Sequence, residues 1–247
     1  NTAVGYDAGN SISSGSVNTL IGRESGRLLT VGHHNTAVGN EAMENTINGS
    51  NSVAIGSFAL QDQTYDSATD AYNTAVGYSA GANVTTGIRN TVMGGLAGDA
   101  LTDADFNVAI GFGSLGADTK GNKSVAIGRD ALSNQNFTSS TDSHNTAVGD
   151  LAGGAVTTGQ FNTFMGSLAG DATTDADDNV AVGYGALTTN ILGSKSVAIG
   201  TGALSTQNYG TATNAYNTAV GQAAGNAITT GINNTLIGAR AGDAFNT

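Results

Sequence analysis

The sequence predicts an all-β protein, a parallel β-solenoid of 14 coils. Three observations lead there. The pentapeptide NTAVG occurs at positions 1, 35, 73, 145 and 217. The glycine that ends each such stretch recurs with spacings of 17, 17, 17 and 21 residues, and the series then repeats, from Gly5, Gly22, Gly39 and Gly56 through Gly77 to Gly238. Around that glycine, residue types stay in register from coil to coil. A 17-residue period is too short for a pair of helices and too strict for a sandwich, and it suits one turn of a solenoid. The whole chain, 1–247, is one repeat array with 72-residue superrepeats beginning near 1, 73, 145 and 217. It opens in phase with a coil and stops partway through one, which predicts a segment of a longer fibre.

Each coil can be justified in chain order. Asn heads eleven coils and Ser the fourth of each group (Ser52, Ser124, Ser196), residues whose side chains bond to backbone at turns and stack into ladders. Next comes a Thr column (Thr2, Thr19, Thr36, Thr74 and so on) that becomes Val at Val53, Val108, Val125, Val180 and Val197. Such an interrupted ladder beside apolar columns predicts interior packing rather than a flat ice-binding face. Ala, Leu, Val or Phe follows, as at Ala3, Leu20, Val92 and Phe164, and then always Val, Ile or Met, from Val4 to Ile237. Each of these last can contribute ~1.5–3 kcal/mol if buried, so the column predicts a continuous core. The marker glycine then turns the chain, or lets two backbones approach where a Cβ would clash. Three residues on stands Ala or Ser, and after it Gly in the first two coils of each group and Leu or Met in the other two.

Neighbouring strand positions face opposite sides, yet "AV", "LI" and "VM" are apolar at both. One side lines the coil's own core. The other needs cover, and an identical chain around a shared three-fold axis supplies it. A homotrimeric rod is therefore expected, about 65 Å long at the inter-strand spacing.

Composition excludes several classes. The chain has 37 Gly but no Pro, Cys or Trp, so it is neither collagen nor a disulfide scaffold. A net charge of −11 argues against nucleic acid and anionic membranes, and no apolar run approaches the ~20 residues of a membrane span. No catalytic constellation recurs, so no enzyme is expected. The "GFGSLG" at Gly111–Gly116 matches a dinucleotide-binding pattern in letters only, with no long helix after it. The adjacent His33 and His34 make a poor metal pair.

Several sequences resemble a known family. "NSVAIGSFAL", "KSVAIGRDAL" and "KSVAIGTGAL" resemble the SVAIG-x-x-A motif of YadA-like heads in trimeric autotransporter adhesins. "NTAVGYSAGANVTTGIRNT" and "NTAVGDLAGGAVTTGQFNT" resemble the repeats of bacteriophage and prophage tail fibres, which often precede a self-cleaving chaperone domain. The resemblance covers essentially the whole chain, although these coils are longer than the adhesin-head repeat. It implies a trimeric β-roll or β-helix shaft, extracellular on a virion tail fibre or bacterial cell surface. The expected function is a structural and adhesive shaft that projects or supplies a receptor-binding surface for host attachment. Its partners are itself and a cell-surface glycan or protein receptor. The alternatives are an autotransporter adhesin head that binds host matrix and an ice-binding solenoid.

Two sets of residues are candidate sites. The 21-residue coils carry "QDQTYDSATDAY", "SNQNFTSSTDSH" and "STQNYGTATNAY". Their aromatic positions (Tyr65, Phe137 and Tyr209, then Tyr72, His144 and Tyr216) lie among amides and hydroxyls, the mixture a glycan site uses. An aromatic that pins the loop to the shaft is the simpler account of these positions. The second set is acidic: Asp99, Asp103, Asp105 and Asn107, and Asp171, Asp175, Asp177 and Asn179, spaced as D-x-D-x-N with an upstream Asp. Calcium takes six to eight oxygens and is the one cofactor this pattern leaves open. The equivalent first stretch, "RLLTVGHHN", has no acid, so the fold cannot depend on such a site in every superrepeat, and a solvated acidic turn is the simpler account.

Overall fold

The computed structural model describes residues 1–245. These residues form a parallel β-solenoid of about fourteen turns, with no helix among them. They divide into two units, residues 1–123 with 137–141 and residues 124–136 with 142–245. The first unit stacks the strands Thr2–Val4, Thr19–Ile21, Thr36–Val38, Val53–Ile55, Thr74–Val76, Thr91–Met93 and Val108–Ile110 in chain order, parallel and in register. The second stacks Val125–Ile127, Thr146–Val148, Thr163–Met165, Val180–Val182, Val197–Ile199, Thr218–Val220 and Thr235–Ile237 in the same way. Like columns meet: Thr74 pairs with Thr91, Ala75 with Val92 and Val76 with Met93.

The direction of the columns corrects two expectations. The middle residue of each strand points inward, and Leu20, Val92 and Phe164 are wholly buried. The Val/Ile/Met column expected to be core points outward, and Met93 and Met165 are 40% and 47% exposed. Strand alternation puts the Thr/Val column on the same outer face, half-exposed at Thr91 and Val108 rather than packed inside. The core is therefore built from the smaller column and from residues beyond the glycine.

The marker glycines are needed for both physical reasons. Gly77 sits at φ +142°, and a Cβ there would lie 2.5 Å from the carbonyl oxygen of Gly94 one turn on. Two tandem turns follow each marker, each with its third residue at positive φ, as at Asp7 and Gly9, the geometry of type II turns. The second of these left-handed positions holds the Gly-or-Leu column, and its occupant complements the strand centre. Where the centre is Phe164, a Cβ on Gly153 would lie 2.7 Å from the ring, and one on Gly170 would lie closer still. Where the centre is Ala181 or Ala198, Leu187 or Leu204 occupies the left-handed position and is fully buried. Core volume is thus traded between two columns, which is why the superrepeat spans four coils rather than one.

The heading asparagines form the other side of the core. Asn90 donates from Nδ2 to the Ala104 carbonyl of its own turn (2.7 Å), and its Oδ1 accepts the backbone N–H of Asn107 in the next turn (2.9 Å). Asn162 does the same with Ala176 and Asn179. The ladder therefore runs mainly between side chain and backbone, satisfying groups that burial would otherwise leave unpaired.

Candidate functional site

The 21-residue coils place their aromatic residues on opposite sides of the wall. Tyr65, Phe137 and Tyr209 are buried. The Tyr65 hydroxyl donates to the Gly87 carbonyl (2.8 Å), and that of Tyr209 to Gly231 (2.7 Å). Burial holds both phenols above their ordinary pKa. Beside them, Gln63 stands in for the asparagine that Ser52 replaces, donating to the Ser52 hydroxyl and accepting from Asn73. Gln135 and Gln207 repeat this with Asn145 and Asn217. These three rings are buried, as loop anchors would be, so the six positions do not lie together on the surface. Tyr72, His144 and Tyr216 are exposed.

The acidic stretches do not converge on one point. The carboxylate of Asp105 accepts the Ile88 backbone N–H (2.8 Å), and that of Asp177 accepts Gln160 N–H (2.7 Å), each one turn back. Asp175 accepts from the Thr157 and Thr158 hydroxyls, Asp171 from Thr188, and Asp103 lies 3.6 Å from the Lys120 ammonium. Asn107 and Asn179 are buried in the asparagine ladder. Burial raises the pKa of Asp99. The same spacing serves turn-to-turn hydrogen bonding.

Among the described residues, one trio of acids brings carboxylate oxygens within 4.8 Å of one another: Glu24, Glu41 and Glu44. It was not singled out in the sequence because its members lie in two successive coils. Arg23 pairs with Glu41 (2.7 Å), Arg27 with Glu44 (2.6 Å), and Gln61 donates to both Glu41 and Glu44. Burial pushes the Glu44 carboxyl up, but hydrogen bonds from Gln61 and Arg27 outweigh it and leave its pKa lowered. The Arg23 and Arg27 guanidinium groups offset two of the three negative charges and tie the trio into an ion-pair network.

Two exposed features remain. The first is the outer sheet face of each unit, with its Thr/Val and Val/Ile/Met columns. The second was missed in the sequence: the residue just before each heading Asn or Ser stands outside at positive φ, and many of these residues are aromatic or cationic. Arg89 lies 5.3 Å over the Phe106 ring, Lys195 lies 5.5 Å over Tyr216, and His144 stacks on Phe161 with centroids 5.6 Å apart. Column statistics at that one position were the signal that could have found it. No pocket opens among the described residues, and none of their helices could cross a membrane, since there are none.

Fold and surface together define a parallel β-solenoid repeat protein whose exposed features are linear rather than concave. No family model matches the chain, and no curated protein matches it.

Proposed function

We propose that this protein is a structural and adhesive segment of a homotrimeric surface fibre of the phage tail-fibre type, acting in host attachment outside the cell. The observation that carries this reading is the outward Val/Ile/Met column, unbroken over the seven strands of each unit. Burying the exposed remainder of such a side chain contributes about 1 kcal/mol, so seven contribute ~5–10 kcal/mol. That is the size of the ~4–15 kcal/mol that association costs. A short stack would fall short of that cost, and each further turn in register adds to the gain without adding to the rigid-body cost of association. The repeat resemblance supplies the fibre context, and the same seam would serve the head of a trimeric autotransporter adhesin. The reading asks for no cofactor and no catalytic group.

The test is solution mass by light scattering. A trimer of the 24.4 kDa chain is expected, and the double variant Val148→Lys/Met165→Lys should dissociate it while the circular dichroism of the β-solenoid persists. A monomeric wild-type chain would remove the seam from the reading. The outward Thr column favours the ice-binding alternative in that event, and thermal hysteresis of a monomeric sample would establish it.

A further inference from the structure

We propose that the exposed column preceding the heading Asn or Ser is a binding stripe for an extended acidic polysaccharide, one stripe in each unit. The stripe gives the fibre reading its ligand class and rests on that reading for avidity along the rod.

All thirteen positions of the column, from Val17 to Asn233, have φ between 51° and 63°. Gly and Asn occupy this left-handed region most readily, and bulky side chains there are outliers. The chain contains 37 glycines and puts none of them in the column. It holds instead four Phe or Tyr, two His and three Lys or Arg, nine of thirteen positions. Inside the core, Leu187 and Leu204 tolerate the same backbone because their side chains are fully buried. Outside, the return is smaller: Phe161 and Tyr216 are each 52% exposed, with His144 stacked on one ring and Lys195 over the other. Strain kept at exposed bulky residues for so little packing marks a functional surface.

The side chains specify the ligand. Tyr72, Arg89 and Phe106 stand on three successive turns of the first unit, and the second unit carries Phe161, Lys195 and Tyr216. Three of the chain's eight Lys and Arg lie in this column, in a protein with net charge −11. Arg23, Arg27, Lys120 and Arg129 are tied into ion pairs. Arg89 and Lys195, by contrast, have no carboxylate within 4.0 Å among the described residues and lie instead over aromatic rings. Ring faces stack on the apolar faces of sugars, and the cations take their carboxylates. Turns repeat at about 4.7–4.9 Å, close to the length of one sugar unit, so a regular polymer can meet the stripe in register. A polynucleotide also offers stacking faces and one negative charge per unit, and stronger retardation by it is one of the outcomes that overturn the proposal.

Affinity electrophoresis through gels containing polygalacturonate tests the proposal, with dextran and polyuridylate gels as controls. Retardation by polygalacturonate alone is expected, weakening with salt. The variant Phe106→Asn/Tyr216→Asn removes a ring from each stripe and leaves a residue suited to the backbone, so its melting temperature should hold or rise while affinity falls at least tenfold. Arg89→Gln/Lys195→Gln should lose affinity and most of the salt dependence. The proposal is overturned by absence of retardation in polygalacturonate, by equal retardation in dextran, by stronger retardation in polyuridylate, or by full binding in either variant. A marked fall in the melting temperature of the Asn variant also overturns it, since the rings would then be structural. Light scattering on the same samples separates this from the fibre reading: a trimer that binds nothing refutes only the stripe, and a monomer that binds refutes only the seam.

Discussion

Exchange of volume between the strand centre and the left-handed column makes a quantitative prediction at Phe164 and Gly170. Phe164 is fully buried, and a Cβ on Gly170 would run into its ring. Phe164→Ala alone empties the site and should destabilise by ~3–5 kcal/mol. Gly170→Leu alone drives a side chain into that ring, for ~1–3 kcal/mol of overpacking and ~1–2 kcal/mol of left-handed backbone. The double variant places Ala at the centre and Leu at the left-handed position, the arrangement Ala181 and Leu187 adopt one turn on. The overpacking and most of the cavity disappear together, and only the backbone term and residual misfit remain. A favourable coupling of at least about 2 kcal/mol is therefore expected. Equilibrium urea unfolding followed by far-ultraviolet circular dichroism measures it, provided m is the same for all four proteins. Effects that add within ~0.5 kcal/mol would show that the two columns do not share one volume, and the explanation of the four-coil superrepeat would fail.

Two further perturbations probe the buried polar groups. Asn90→Ala strands both the Ala104 carbonyl and the Asn107 N–H inside the wall, and at ~1–3 kcal/mol for each unpaired group it should lower the urea midpoint more than Asn51→Ala on the exposed loop. Tyr65 and Tyr209 have pKa values raised by burial, so their contribution is complete below the ordinary tyrosine value of about 10 and is lost as pH rises from there toward the folded values. Stability should fall above about pH 10, and Tyr65→Phe/Tyr209→Phe should flatten that fall. Phe already serves at the equivalent position 137, so the double variant should fold. An unchanged alkaline limb would mean these phenols do not set it.

The solenoid was legible because its causes are local and repeated. A glycine at φ +142° pressed against the next turn's carbonyl, as at Gly77, admits no substitute, so it appears in every coil and sets the period. The asparagine ladder was legible for the same reason, although which groups it satisfies required coordinates. The inward and outward columns were assigned the wrong way round. Hydrophobicity ranks Val and Ile above Ala and so favours them as core, but the narrow coil must fit a second inward column at the left-handed position, and it has room for Ala181 only because Leu187 fills the rest. Periodicity shows that two columns face opposite ways; it does not show which one faces in.

The candidate sites were harder to read because chemistry and architecture use the same residue types here. The Asp105 and Asp177 carboxylates look like cation ligands and act as backbone acceptors. Tyr65 and Tyr209 look like sugar platforms and close a turn from within. Both readings take each coil as a unit, whereas the hydrogen bonds of these groups run to the coil before or after. In a solenoid a residue repeated in phase has a neighbour of its own kind about 4.8 Å away, and the default role of that pair is to stabilise the stack. Function is then to be sought where a column departs from what stacking asks of it. Among the described residues, the largest departure is a column of rings and cations standing at positive φ in solvent, where glycine or asparagine would satisfy the fold.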